Sequence, residues 1–251
     1  MKAIILAAGP GSRLGKYTKE IPKALVEING KSLVERQISL FKKNNIDEIY
    51  VVRGDKKEKF SLHNVKFIDD NNYQNHEQLG SLIAAKHKIT GDVIISFSDI
   101  IFEERILHQF LSSNSDISIA VDRNWQKSYE ERLDNPIELA GKVMIENNKI
   151  VKLSENLSLK TEKNTICEFL GIVKLSALGS KIFVSKYDEL EKNHVGKFND
   201  ATSFRMAKLM DILEELIKSQ IFIEPIFIQG KWCEVDTPKD LERAKKLFSN
   251  S

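Results

Sequence analysis

Lys2-Ala3-Ile4-Ile5-Leu6-Ala7-Ala8-Gly9-Pro10-Gly11-Ser12-Arg13-Leu14-Gly15-Lys16 is the stretch on which the reading of this chain turns. It opens as an apolar run and passes directly into a cluster holding three of the chain's 12 glycines. A short apolar run that ends in glycines reads as a buried strand followed by a tight loop. The run is too short for a secretory leader, so it is taken as the first strand and not as a targeting segment. Glycines at such a point let backbone N–H groups approach phosphate oxygens closely. The plainer alternative is a tight turn between strand and helix. Two common phosphate loops do not fit. The dinucleotide fingerprint needs glycine where Leu14 stands, and the Walker loop needs one where Pro10 stands.

Outward from that loop, strand-like and helix-like segments alternate. Ser32-Leu33-Val34-Glu35 is a capping box opening a helix with Val34, Ile38 and Phe41 on one face. Strands are expected at Glu48–Val52, Val65–Ile68 and Asp116–Val121, and helices at Glu77–Lys88 and Glu103–Leu111. Asp92–Phe97 is almost wholly apolar, as a strand buried on both faces of a parallel sheet must be. Lys142–Ile145 and Lys149–Leu153 fit a hairpin across Asn147-Asn148. Ile166–Leu175 and Ile221–Ile228 read as further strands, and Phe204–Ser219 as one long helix. Thr237-Pro238 is an N-cap followed by proline at the first helical position. Alternation of this kind indicates βαβ units and an α/β fold. The polar stretch Asn124–Gly141 breaks the rhythm. The expectation is one domain over residues 1–251 with an insertion at about 123–165.

Composition narrows the function. The chain has 251 residues, 41% of them hydrophobic, which is enough for a core. The net charge is only +2, so neither a nucleic-acid nor a membrane-surface partner is indicated. No apolar run is long enough for a membrane helix. Two cysteines, Cys167 and Cys233, cannot make a disulfide framework or a zinc site by themselves. The five histidines are scattered without metal-ligand spacing. A cytoplasmic protein is the default, and self-association is left open.

Leu6-x-Ala8-Gly9-x-Gly11-Ser12-Arg13-Leu14, followed by Pro22-Lys23-Ala24-Leu25, resembles the opening signature of the sugar-nucleotidyltransferase superfamily. The resemblance implies a Rossmann-like, mixed and mainly parallel β-sheet flanked by helices, with an inserted acceptor-binding region. It implies that the loop wraps a nucleoside triphosphate and that Arg13 and Lys23 contact its phosphates as the catalytic cations. The chemistry needs little more. An acceptor phosphate or phosphonate oxygen is already ionised at neutral pH and attacks the α-phosphorus without a general base. The difficulty is bringing two polyanions together, which cations and oriented amides relieve.

Two aspartates complete the resemblance. Asp99 follows the apolar strand, at the end of a sheet where α/β folds bind ligands. Asp236 precedes the last helix. The family's equivalents hold a catalytic Mg²⁺, which one or two carboxylates plus phosphates suffice to bind. Without the resemblance, Asp236 reads as a helix cap and Asp99 as a turn residue. Gln78, Gly80 and Ser81, in Glu77-Gln78-Leu79-Gly80-Ser81, match the pyrimidine-contacting segment. Gln78 offers both a donor and an acceptor to a pyrimidine edge, so CTP and another pyrimidine triphosphate both remain open.

Later segments resemble the phosphocholine and phosphonate cytidylyltransferase subgroup: Tyr129-x-x-Arg132-x-x-Asn135-Pro136, Glu168-Phe169-Leu170-Gly171 and Gly230-x-Trp232-Cys233-Glu234-x-Asp236. They suggest a small phosphonate or phosphorylated acceptor. Arg132 is expected to grip its anionic head and Glu168 to read an amine or hydroxyl. Trp232 is either a cation–π wall or a core aromatic. The expected activity is a Mg²⁺-dependent cytidylyltransferase that releases pyrophosphate and makes a CMP-linked precursor for surface lipid or polysaccharide. A sugar-1-phosphate uridylyl- or thymidylyltransferase, a catalytically inactive nucleotide-binding regulatory module and a Rossmann oxidoreductase are the competing readings.

Overall fold

Lys2–Ala7 lies in the interior of a nine-stranded sheet, parallel to Glu48–Arg53 on one side and to Val93–Phe97 on the other. Its side chains alternate between two cores. Ile4 and Leu6 face one with Tyr50 and Val52, while Ala3, Ile5 and Ala7 face the other with Ile49 and Val51. Burial on both faces explains why the strand is a continuous apolar run instead of an alternating one. The first core is closed by the helices Gln78–Ala84, Ala177–Asn193 and Leu209–Lys218, the second by Leu33–Lys43 and Glu104–Leu111. The computed structural model describes residues 1–129, 132, 134–159 and 164–249.

Lys66–Asp69 extends the parallel side of the sheet. Beyond Val93–Phe97 the direction reverses. The long strand Thr165–Leu175 runs antiparallel to Val93–Phe97, to Ile117–Asp122 and to Lys142–Glu146. Lys149–Ser154 pairs with Lys142–Glu146, and Glu224–Phe227 lies parallel to Ile117–Asp122. The sheet is therefore mixed and mostly parallel at its centre, with helices on both faces. The hairpin expected at 142–153 adds two strands to the main sheet, and Asn147 and Asn148 turn it with positive φ.

A separate two-stranded ribbon, Ile100–Phe102 against Trp232–Glu234, stands at the end of Val93–Phe97. Ile101 and Cys233 on it pack with Leu14, Val26, Val235 and Leu241 in a third core. That core fastens the glycine loop to the last helix, Pro238–Leu247. Both expected caps are present. Glu35 N–H donates to Ser32 Oγ at 3.3 Å, and Asp240 N–H donates to Thr237 Oγ1 at 3.2 Å.

Two elements differ from the sequence reading. Phe204–Ser219 is not one helix but a short turn, Phe204–Met206, followed by the helix Leu209–Lys218. Ala207 and Lys208 between them are extended. Asp211 accepts the Lys208 N–H at 2.7 Å and so starts a new helix there. Similarly, Glu77–Lys88 resolves into the helix Gln78–Ala84 and a 3-10 turn, Lys86–Lys88. The 17-residue helix Ala177–Asn193 carries no strong sequence pattern, and Ser176 caps it through Leu178 and Gly179.

Thr165–Leu175 is interrupted between Phe169 and Val173, where its register with Ile117–Asp122 slips. Gly171 sits in the slip with φ 72°, and an added Cβ would stand 2.2 Å from the Phe97 ring. Gly171→Ala meets both an unfavourable backbone angle and a packed aromatic. It should destabilise the protein by about 1–3 kcal/mol in chemical denaturation. An unchanged midpoint would show that the slip is not held by this contact.

Candidate active site

The antiparallel ribbon brings two distant segments together at the strand ends. Ile100 pairs with Glu234, and Val235 N–H donates to Asp99 C=O at 2.9 Å. Ligand oxygens of Asp99, Glu234 and Asp236 thereby come within 4.8 Å of one another. Trp232, Glu234 and Asp236 alternate along one strand direction, so their side chains share a face. Asp99 Oδ1 is buried without a hydrogen-bond partner. Hard carboxylate oxygens and one orphaned oxygen suit a small divalent cation such as Mg²⁺.

Cations border this cluster. Lys23 Nζ bridges Asp99 Oδ2, at 2.7 Å, and Asp236 Oδ1. Arg13 Nη2 meets Asp236 Oδ2 at 2.9 Å, and Arg13 Nη1 donates to Asn135 Oδ1 at 2.8 Å. Asn135 Nδ2 donates to Asp236 Oδ2 at 3.0 Å, closing the ring of contacts. Gly11 makes room for Lys23: an added Cβ would lie 2.5 Å from Lys23 Cβ. Gly11 also has a left-handed conformation, with φ 63° and ψ 37°, directly before a 3-10 turn. A left-handed residue followed by right-handed ones points successive N–H groups into an anion-binding concavity.

Two cavities meet at the cluster. The larger, about 640 Å³, is lined by the glycine loop with Lys23, Gln78, Ser81 and Asp99. The smaller, about 400 Å³, is lined by Tyr129, Glu155, Glu168, Lys208 and Trp232 among others. Arg13, Gln78, Phe97, Glu234 and Asp236 border both. A reacting pair divided between the cavities would meet beside Arg13 and the carboxylates.

Most of the residues singled out in the sequence gather here. Leu6, Ala8, Gly9, Gly11, Ser12, Arg13, Lys23, Gln78 and Ser81 line the larger cavity. Glu168 and Trp232 line the smaller one. Trp232 packs against the second core as well as lining the smaller cavity, and its Nε1–H donates to Asp122 Oδ2 at 2.9 Å. Gly80 borders neither cavity. Its missing side chain accommodates the His76 ring, which an added Cβ would approach to 2.3 Å. The expected contact of Gly80 with the nucleotide is therefore corrected to a packing role.

Arg132 is the larger correction. It is buried and lines neither cavity. Its Nη2 donates to Glu234 Oε2 and to Asp240 Oδ2, each at 3.1 Å, and its guanidinium lies 4.7 Å from the centre of the Tyr129 ring. A buried guanidinium needs buried carboxylates, and Asp240, which caps the last helix, is at hand. Arg132 thus steadies Glu234 from behind instead of meeting the acceptor. Glu234, Asn135 and Tyr129 are site residues that the sequence reading did not assign. The alternation Trp232, Glu234, Asp236 was a usable signal for Glu234.

The cluster's electrostatics are uneven. Burial opposes the charged forms of both Lys23 and Asp236, but Asp99 and Asp236 outweigh it at Lys23, and Lys23 outweighs it at Asp236. The Lys23 pKa is pushed above its ordinary value and the Asp236 pKa below it. Burial, with Asp236 and Asp99 nearby, pushes Glu234 up to about 7. Burial and Glu234 push Glu168 up to about 8, against the Tyr129 hydroxyl that donates to its Oε1.

Fold and site together define a nucleotidyltransferase. Residues 3–155 match the MobA-like NTP transferase domain, and the chain belongs to that family. It is 28% identical over 255 residues to the CTP:phosphoglutamine cytidylyltransferase of Campylobacter jejuni subsp. jejuni serotype O:2, covering 96% of this chain and 98% of that one. Its fold matches that of the CTP:phosphocholine cytidylyltransferase from Streptococcus pneumoniae, with TM-score 0.72 and 20% identity over 98% of this chain and 97% of that one. It also matches the inositol-1-phosphate CTP transferase from T. maritima, with TM-score 0.74 and 18% identity over 99% and 94% of the two chains.

Lys23→Ala and Asp236→Asn should each lower kcat/KM for nucleotidyl transfer by about 100-fold or more, the scale of losing one preorganised charge. Circular dichroism checks that the variants fold, and near-normal kinetics in both would leave the cluster a structural ion pair. Glu168 supplies a pH test. Its carboxyl holds a proton in the native state that the unfolded chain loses near the ordinary value of 4.5. Stability should therefore fall as pH rises from about 4.5 through about 8, because the unfolded state binds fewer protons there. Glu168→Gln should flatten that part of the profile, and an unaltered slope would contradict the assignment.

Proposed function

We propose that the chain is a Mg²⁺-dependent cytidylyltransferase. It transfers CMP from CTP to a small phosphorylated or phosphonate metabolite and releases pyrophosphate. The observation that carries this reading is the meeting of two cavities at one charged cluster, Arg13, Lys23, Asp99, Glu234 and Asp236. The preference for CTP rests on the full-length similarity to a CTP-using relative. No helix among the described residues is long and apolar enough to cross a membrane. A cytoplasmic location accords with CTP as the donor, and a CMP-linked product suits later transfer to surface lipid or polysaccharide.

The larger cavity takes the nucleotide. The Gly9–Arg13 loop orients the phosphates, and Lys23 and Arg13 offset their charge. Gln78 and Ser81 face the same space and contact the base or ribose. The smaller cavity takes the acceptor, with Glu168 and Tyr129 in its lining. The acceptor's ionised oxygen attacks the α-phosphorus, a new P–O bond forms, and the bond to the pyrophosphate oxygen breaks. No proton needs to be removed, which agrees with a site built from cations and carboxylates. Bound at Asp99, Glu234 and Asp236, Mg²⁺ would neutralise charge on the reacting phosphate and the departing pyrophosphate. Arg13 and Lys23 hold their positions before reaction because Asp236 anchors both.

A matrix of nucleoside triphosphates against phosphorylated acceptors, read as pyrophosphate release, tests the assignment. CTP with a small phosphate or phosphonate acceptor should be the most efficient combination. Turnover confined to UTP or dTTP with a hexose 1-phosphate would replace this reading with the sugar-nucleotide one. Tight nucleotide binding without turnover of any pair would favour a regulatory module.

A further inference from the structure

Behind the wall of the larger cavity lies a buried carboxylate that takes no part in the transfer. Asp70 follows the strand Lys66–Asp69 and is 3% exposed. It does not line the larger cavity, yet it holds two residues that do, His76 and Ser81. Its Oδ2 accepts the Ser81 hydroxyl at 2.8 Å. Its Oδ1 accepts the Asn72 N–H at 3.1 Å and the His76 Nε2–H at 3.1 Å. The Asp70 N–H donates to Arg53 C=O at 2.8 Å, which ties the residue to the end of the neighbouring strand. A buried carboxylate with three donors around it is satisfied and holds its position.

These bonds fix the polarity of Ser81. A serine hydroxyl has one proton and two lone pairs. With the proton given to Asp70, the lone pairs are what the cavity meets. Ser81 is half-buried, so its oxygen accepts a hydrogen bond from whatever lies against it and offers none. Gln78, in the same lining, is under no such constraint, since an amide turns to present either group. The glycine loop and the cations take the phosphates. The base is left with the other run of lining, from Tyr73 to Ser81. Pyrimidines differ in the polarity that Ser81 would read: cytosine bears an exocyclic amino donor where uracil and thymine bear a carbonyl acceptor.

We infer that Asp70 sets the choice of base: it holds the Ser81 hydroxyl as an acceptor, and Ser81 reads the 4-amino group of cytosine. This rests on the cytidylyltransferase reading above and names the residue pair behind its preference for CTP. The carbonyl of UTP or dTTP would face Ser81 lone pair to lone pair, with no proton between them. Such a mismatch leaves polar groups unpaired in a closed site and is costly. Asp70 is a positioning residue, because it lies outside the cavity and acts through Ser81. Asp70→Asn reverses the polarity with little change of shape. The Asn72 N–H still needs an acceptor, so the oxygen of the new amide stays on that side and its NH₂ turns to Ser81. Ser81 then accepts from residue 70, and its own proton is free to point at a uracil carbonyl.

The test compares kcat/KM for CTP and for UTP in the wild type, Asp70→Asn and Ser81→Ala, with one phosphorylated acceptor that the wild type turns over. The preference for CTP should fall by about tenfold or more in Asp70→Asn, with kcat/KM for UTP rising. Ser81→Ala should lose the preference too, but through weaker use of CTP and with no gain for UTP. Circular dichroism checks that both variants fold, and if Asp70→Asn does not, Ser81→Ala decides alone. A CTP preference that survives either substitution in a folded variant would overturn the inference while leaving cytidylyl transfer intact. Equal losses with CTP and UTP in Ser81→Ala would do so by placing Ser81 at the ribose. A wild type that prefers UTP, or that releases no pyrophosphate with any triphosphate, would overturn the underlying reading and this inference with it.

Discussion

Lys23 between Asp99 and Asp236 is the interaction on which the site depends. A lysine so nearly buried must be paired, and each carboxylate beside it would be costly without the cation. Neither segment alone can satisfy that requirement. Asp99 ends a strand of the first half of the chain, and Asp236 precedes the last helix. Their meeting requires the Ile100–Phe102 and Trp232–Glu234 ribbon, and the ribbon requires the apolar packing of Ile101 and Cys233 beneath it. Gly11 is bound to the same point, since only glycine leaves space for the Lys23 side chain. The glycine loop, the carboxylates and the closing helix are thus one mechanical unit.

Behind that unit stands a chain of supporting charges. Asp240 caps the last helix and also takes Arg132, and Arg132 reaches Glu234. Helix capping and site electrostatics therefore share a residue. A change at Asp240 would disturb both the start of the helix and the partner that offsets Glu234. On the other flank, Asn135 joins Arg13 and Asp236. The polar stretch that interrupts the strand–helix rhythm is thereby drawn against the site.

The strand–helix order was legible because fully buried parallel strands leave unbroken apolar runs, and Ser32 and Thr237 announce their helices. The break at Ala207-Lys208 was not legible. It depends on Asp211 turning back to one backbone N–H, which apolar spacing does not record. Arg13, Lys23, Asp99 and Asp236 could be singled out only through the family resemblance of the loop and strand ends, since by local pattern alone Asp99 reads as a turn residue and Asp236 as a helix cap. Arg132 could not be placed correctly, because an arginine beside an anion site reads alike whether it faces a ligand or a buried Asp240. Glu155 and Lys208 lie 53 positions apart and become partners only through tertiary packing. The family match covers residues 3–155 and so includes the loop and Asp99, while Glu234 and Asp236 come from beyond it.

Charge and position alone are proposed to drive the transfer, with the acceptor oxygen attacking phosphorus directly and no protein nucleophile. Cys167 and Cys233 are both buried, with thiol pKa values raised by burial, and neither lines either cavity. The stereochemical course at the α-phosphorus tests the claim most directly. With a single diastereomer of the α-thio analogue of CTP and an accepted phosphorylated metabolite, one in-line displacement predicts inversion at phosphorus. Retention would mean two displacements through a covalent nucleotidyl-enzyme, and would contradict the account.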